Sequence, residues 1–187
     1  MELRQAIEGR RAVRAYTAAA VPHEVILDLI GAAVHAPSAM NLQPWTFAVV
    51  EGRDRLASLS DVAKRHLLTG MTADSPLASH RATLEDPSFD IFYGAPCLIV
   101  ISARPPSRQA SEDCCLAAEN LMLAAHARDL GTCWIGLARP WLETQEAHTL
   151  LGLPSDCTAV APIIVGVPRA VPLPTERRKP TVIWCAP

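Results

Sequence analysis

A chain of 187 residues, half of them hydrophobic and 19% charged, is long enough to fold as one domain around a substantial core. A formal net charge of −2 and a pI near 6.3 exclude any global pull toward nucleic acid or an anionic membrane surface. The apolar surplus points to further burial in an oligomer interface.

In chain order, "LRQAIEGRR" places Leu3 and Ile7 four apart, which predicts a short amphipathic helix. "VPHEVILDLIGAAVHAP", residues 21–37, sets Val25, Ile26, Leu29, Ile30, Ala33 and Val34 on one stripe and predicts a helix ended by Pro37. In the following stretch, "HAPSAMNLQPWTF", Pro and Asn signal a loop, yet turn chemistry alone does not call for Asn41, Gln43 and Trp45 together. "WTFAVVEG" reads as a buried strand closed by Gly52, and "RDRLASLSDVAKRHLL" as a helix. Residues 69–93 are polar, contain prolines and show no period, so a loop or short mobile lid is expected there.

"PCLIVISA" predicts a strand. The strongest helical pattern runs from Ser111 to Leu130, with Ser111 as N-cap and Gly131 just past the end. Its centre, "CCLAAENLMLAAHA", is apolar nearly all round, which predicts a helix covered on both sides. "TCWIG" is a short strand or turn, "WLETQEAHTLLGL" a helix and "TAVAPIIVGV" a strand. The tail from Pro168 carries prolines at 168, 172, 174, 180 and 187, so it runs extended. The sum is an α+β protein with helices around one modest sheet.

The apolar run "TAVAPIIVGV" is interrupted by Pro162 and too short to span a bilayer. The opening "MELRQAIEGRRAVR" lacks the apolar block of a secretory signal, so a cytoplasmic location is expected. The six cysteines form neither C-x-x-C nor a Cys/His cluster, and they read as reduced core residues rather than metal ligands.

Basic residues crowd two places, Arg10, Arg11 and Arg14 near the start and Arg177, Arg178 and Lys179 near the end. The arginine fork suits phosphate, although a solvated patch has the same composition. G-x-G-x-x-G, a P-loop and G-x-S-x-G are all missing. His126 reads as a satisfied core residue, and Glu119 as a buried partner for an arginine. A chain so poor in acid–base groups fits an enzyme whose cofactor supplies the chemistry.

"RRAVRAY" at 10–16, "APSAMNLQPW" at 36–45, "GTCWIG" at 131–136 and "RRKP" at 177–180 resemble the nitroreductase family in order and spacing. That resemblance implies an α+β fold with a central, mostly antiparallel sheet surrounded by helices. It also implies a homodimer that holds flavin mononucleotide (FMN) at its interface. Residues 1–187 would form one FMN-binding domain, with 168–187 an extended tail packing on the partner subunit. NADH or NADPH would be the donor, and nitroaromatics, quinones or similar electron-poor compounds the acceptors, in a ping-pong cycle. A specialised branch is the alternative (a reductive dehalogenase, an enone reductase or a flavin-destroying benzimidazole synthase), as is a non-catalytic flavin-binding protein.

Residue by residue, Arg10, Arg11 and Arg178 resemble the family's phosphate and ribityl contacts, with Ala12 among them. Arg14 resembles the basic residue beside flavin N1 and O2, and no side chain is expected to be catalytic itself. Pro37, Ser38, Ala39 and Asn41 would come from the partner, while Gln43, Pro44 and Trp45 support that loop. Trp134, Ile135, Gly136 and Leu137 resemble the segment whose backbone N–H meets flavin N5. Two departures stand out: many relatives carry Ser or Thr in place of Ala12, and residues 66–94 contain no asparagine for the family's usual place near O2 and N3. The chain is also short for the family, which implies a reduced substrate lid.

Overall fold

The most apolar run of the chain, "CLIVISA", sits at the centre of the sheet, and all seven of its residues are buried. The computed structural model describes residues 1–170 and 172–185. Among these, four strands, β1 (Trp45–Glu51), β2 (Cys97–Ala103), β3 (Gly131–Trp134) and β4 (Thr158–Gly166), lie in the order β1-β2-β4-β3. Every pair in it is antiparallel, as the α+β expectation required.

Side chains alternate across the sheet, so each strand feeds two cores. Leu98, Val100 and Ile164 face α3 (Arg53–Thr69), α6 (Arg139–Leu142) and α7 (Gln145–Leu151). Ile99, Ile101 and Ile163 face α2 (His23–Ala33) and α5 (Arg108–His126). The short α1 (Leu3–Gly9) packs on α5, and α4 (Arg81–Glu85) on α3.

Beyond α1 the chain runs as an arm along the outer edge of β3. The Val13 N–H donates to the Thr132 carbonyl at 2.9 Å, and that of Thr17 to Val167 at 2.9 Å. Tyr16, 1% exposed, donates its hydroxyl to the Val13 carbonyl at 2.8 Å. Burial pushes the Tyr16 phenol far above its ordinary value, with Cys133 adding to the rise, so it remains a donor. The arm lies so close that a Cβ on Gly131 would sit 2.7 Å from the Val13 side chain.

Several expectations are corrected. α5 starts at Arg108 rather than Ser111, because the Ser107 hydroxyl accepts the Ala110 N–H at 3.0 Å and caps it first. It ends at His126, and residues up to Leu130 turn out of it. Nor is α5 covered on both sides. Cys114, Ala117, Ala118 and Leu121 are buried on the sheet, while Cys115, Leu116 and Glu119 are exposed. The helix expected over 141–153 is two, since the Thr144 hydroxyl caps α7 by accepting the Ala147 N–H at 3.2 Å. The segment 69–93 holds a 3-10 turn at Ala78–His80 and α4. The buried Lys64 ties its far end down, donating to the Phe89 and Asp86 carbonyls at 2.6 and 3.3 Å.

The tail is extended as expected, and residues 173–185 are exposed throughout. Of the stretch 168–187, Val171, Ala186 and Pro187 lie outside the described residues. Among the described residues, no helix is long and apolar enough to cross a membrane.

Two glycines predict opposite outcomes. A Cβ on Gly166 would lie 2.6 Å from Pro96 and 2.8 Å from Tyr16, whereas one on Gly31, inside α2, meets nothing within 4 Å. Gly166→Ala should lose about 1–3 kcal/mol by overpacking. Gly31→Ala should gain roughly 0.5–1 kcal/mol in helix propensity. Calorimetry should read these as a lowered and a raised Tm, at about 2–4 °C per kcal/mol for a chain of this size.

Candidate functional site

Where the arm passes the end of β3, a pocket of about 190 Å³ opens, lined by Arg14, Ile91, Tyr93, Cys133, Gly136 and Leu137 among others. The strand stops at Trp134, and the Ile135 N–H turns back to donate to the Pro162 carbonyl at 2.8 Å. The next two N–H groups, of Gly136 and Leu137, have no hydrogen-bond partner among the described residues. Gly136 is exposed and a Cβ on it would meet nothing within 4 Å, so the backbone there is open to a guest.

Arg14 stands across that space, exposed, its guanidinium carbon 5.9 Å from the centre of the Tyr93 ring. Cys133 is buried, and burial pushes its thiol up more than the nearby Arg14 and Arg10 pull it down. Neither carboxylate nor imidazole lines the pocket. Elsewhere, burial pushes the Cys97 and Cys114 thiols up to about 12, which leaves them inert. Among the described residues, no group of His, Cys, Asp or Glu could hold a metal ion. This arrangement lacks acid–base groups but offers a cation and free N–H donors, which suits an anionic, hydrogen-bond-accepting guest with chemistry of its own.

A second hollow of about 150 Å³ adjoins the start of the arm, lined by Gly9, Arg10, Arg11, His126, Thr132 and Pro172 among others. Arg10 meets Glu119 at 3.6 Å, so Glu119 does partner an arginine, although it is half-exposed rather than buried. Arg11 donates to the Glu8 and Arg10 carbonyls at 2.6 and 2.8 Å. Ala12, exposed between the two hollows, bridges Thr132, whose buried hydroxyl has no partner among the described residues. His126 packs against Gly9 and is only half-buried, not a core residue.

The loop 37–43 is built separately. Both oxygens of the Asp113 carboxylate accept the Ala39 N–H, at 3.2 and 3.3 Å, and the Ser38 hydroxyl accepts that of Gln43 at 3.0 Å. Gln43 donates its side-chain amide to that of Asn41 at 3.1 Å, which explains the amide pair. Met40, Asn41 and Gln43 take left-handed φ of 51°, 56° and 47°, and Met40 projects 93% exposed. Pro44 is buried and Trp45 opens β1, so both support the loop from below.

The residues singled out from sequence therefore fall into three groups. Arg14 shares one pocket with Trp134, Ile135, Gly136 and Leu137. Arg10 and Arg11 share the adjoining hollow. Pro37, Ser38, Ala39 and Asn41 sit apart, tied to α5 at Asp113, six residues before Glu119 and about 9 Å away along the axis. Arg178 is exposed on the tail and joins neither hollow. Sequence reasoning missed Tyr93, because 86–94 has no period. The available signal was Asp90 four residues before Gly94, a spacing at which a carboxylate can cap a turn.

Comparison with known proteins places this architecture. The family model described as "Nitroreductase family" matches residues 7–167. A nitrobenzene nitroreductase of Ectopseudomonas oleovorans is 30% identical, over 86% of this chain and 84% of its own length. A protein of Methanothermobacter thermautotrophicus with an NADH dehydrogenase/NAD(P)H nitroreductase assignment is 29% identical, over 92% of this chain and 80% of its own. A nitroreductase of Bacteroides fragilis, crystallised with bound FMN, superposes with a TM-score of 0.83 at 26% identity, covering 98% of this chain and 99% of that one.

Asp113, 6% exposed, is the loop's main anchor to the helix. Asp113→Ala should therefore free the Ala39 amide and cost about 1–3 kcal/mol for the lost charged acceptor. Hydrogen exchange at residues 38–43 should accelerate while exchange in β2 and β4 is unchanged.

Proposed function

The chain belongs to the nitroreductase family of FMN-dependent oxidoreductases, and on that premise we propose that it reduces nitroaromatics, quinones or similar electron-poor acceptors with electrons from NAD(P)H. One observation carries the reading: Gly136 and Leu137, whose N–H groups have no partner among the described residues, line the same pocket as Arg14. The residues present fit FMN there. The open Cβ position at Gly136 lets a flat ring approach the backbone.

When bound, FMN supplies two-electron transfer from donor to acceptor, and its reduced ring carries negative charge at N1. The N–H groups of Gly136 and Leu137 would serve N5, and Arg14 would serve N1 and O2. Its cation is worth most where charge develops. Arg10, Arg11 and the Ala12 backbone would hold the ribityl chain and phosphate, and Arg178, which lies in neither hollow of the single chain, would join them from the tail only in the assembled dimer. The Thr132 hydroxyl beside Ala12 is an unused polar group at that end.

The working unit is a homodimer with two interface flavins. In a single chain the loop 37–41 and the arm 10–14 meet α5 at different levels, which supports completion of each site by the partner's copy of the loop. The uncovered face of α5 around Leu116 and the tail side chains Leu173, Ile183 and Trp184, all exposed, supply apolar surface for that contact. Obligate interfaces of this kind bury roughly 2,000 Å² or more. Donor and acceptor would use the same flavin face in turn, since the sequence contains no dinucleotide-binding motif to hold NAD(P)H beside a second substrate.

The protein should purify yellow with non-covalent FMN, and initial rates against NAD(P)H and a nitroarene should give parallel double-reciprocal lines. A colourless protein that takes up no added FMN refutes the reading, and converging lines refute the shared face alone. Truncation after Pro174 removes Arg178 together with Ile183 and Trp184. Sedimentation should then show a larger monomer fraction, and absorbance a lower FMN content, than in the full chain.

A further inference from the structure

Among the described residues no carboxylate pairs with Arg14, and the Tyr93 ring face is what its guanidinium meets. A cation near 6 Å from an aromatic centroid is attracted by the ring quadrupole. Tyr93 is itself held in an unusual way. Its φ of 55° lies in the left-handed region, where a bulky residue persists only if its surroundings over-determine it.

Those surroundings are specific. The Asp90 carboxylate accepts the N–H groups of Phe92 and Gly94, each at 2.8 Å, and its carbonyl accepts that of Tyr93 at 3.0 Å. Ile91 and Phe92, the two residues before Tyr93, are fully buried, and the Ile91 N–H donates to the Ser60 hydroxyl at 3.0 Å. Phe89, whose carbonyl Lys64 holds, packs edge-on against the Tyr93 ring with centroids 6.0 Å apart. The hydrogen bonds fix the backbone of the turn and Phe89 packs on the Tyr93 ring at the pocket wall, while the arginine beside it has no carboxylate partner among the described residues.

On the FMN reading above, we propose that Tyr93, set by Asp90, is a positioning residue that keeps the Arg14 guanidinium at the pocket edge before charge appears on the flavin. A long, exposed arginine samples many rotamers, and an aromatic face that confines it removes reorganisation at the moment of reduction. The oxidised ring is neutral at N1 and gains little from this confinement. The reduced ring gains all of it. Tyr93 therefore favours reduced over oxidised FMN without acting on the ring itself.

The test compares wild type, Tyr93→Phe, Tyr93→Leu and Tyr93→Asn, each loaded with FMN. The Asn variant tolerates the left-handed backbone and covers the case in which Leu fails to fold. Oxidised FMN affinity is read by fluorescence and the midpoint potential by dye equilibration. Loss of the ring should leave oxidised affinity nearly unchanged and weaken reduced FMN by about two- to thirty-fold. Each tenfold appears as a shift of about 30 mV to more negative potential for a two-electron couple. Tyr93→Phe should keep the wild-type potential, and in an Arg14→Ala background the Tyr93 substitutions should produce no further shift.

Unshifted potentials in Leu and Asn, or a shift that persists without Arg14, overturn the proposal alone. Equal weakening of oxidised and reduced FMN also overturns it, since that is what a purely structural role produces. A wild type that takes up no FMN overturns both this proposal and the reading beneath it.

Discussion

The docking of the N-terminal arm on the open edge of β3 is the constraint on which the rest of the site depends. One short hydrogen bond, Val13 to Thr132, and one buried anchor, Tyr16, set the arm's register. That register places Arg10 at the hollow beside the start of β3 and Arg14 at the pocket beyond its end. The fit leaves no space at Gly131, where any side chain would push the arm outward and carry both arginines with it. The arm also covers unpaired backbone at a sheet edge, which would otherwise invite association with other strands.

A second constraint is the one-sided coverage of α5. The helix packs its small residues, alanine above all, on the sheet, and this close contact brings Glu119 within reach of Arg10 and Asp113 within reach of the loop. Its opposite face has nothing over it in a single chain. The apolar surplus in the composition is thus not all core; part lies on this face, at the loop tip and along the tail. A chain organised in this way sets the loop 37–41 and the arm 10–14 at separate levels of one helix.

The electrostatics of the pocket follow from what is missing as much as from what is present. With its thiol protonated and no carboxylate or imidazole in the wall, the protein brings cations and backbone donors to the site. Such groups stabilise charge on a guest and move no protons themselves. The rigid turn at 90–94 belongs to the same arrangement, because a cation is useful only where its position is held.

Local chemistry made much of this legible from the residues. The pattern of apolar positions specified β1, β2 and β4 and α2, α3 and α5, leaving β3 as a short strand or turn, and the arginine, glycine and loop stretches pointed to the family, because each reflects contacts within a few residues or a motif of fixed spacing. Boundaries that turned on competing caps, Ser107 against Ser111 and the break at Thr144, were settled by which hydroxyl reached a free N–H first. Tyr93 was hidden, because its place comes from Asp90, Lys64 and Ser60 acting across turns with no period of their own. The separation of the loop from the arm was hidden too. The family resemblance assigns both to one site, but only the packing of α5 sets them at different levels of one helix, since distance in space is decided by burial and not by motif.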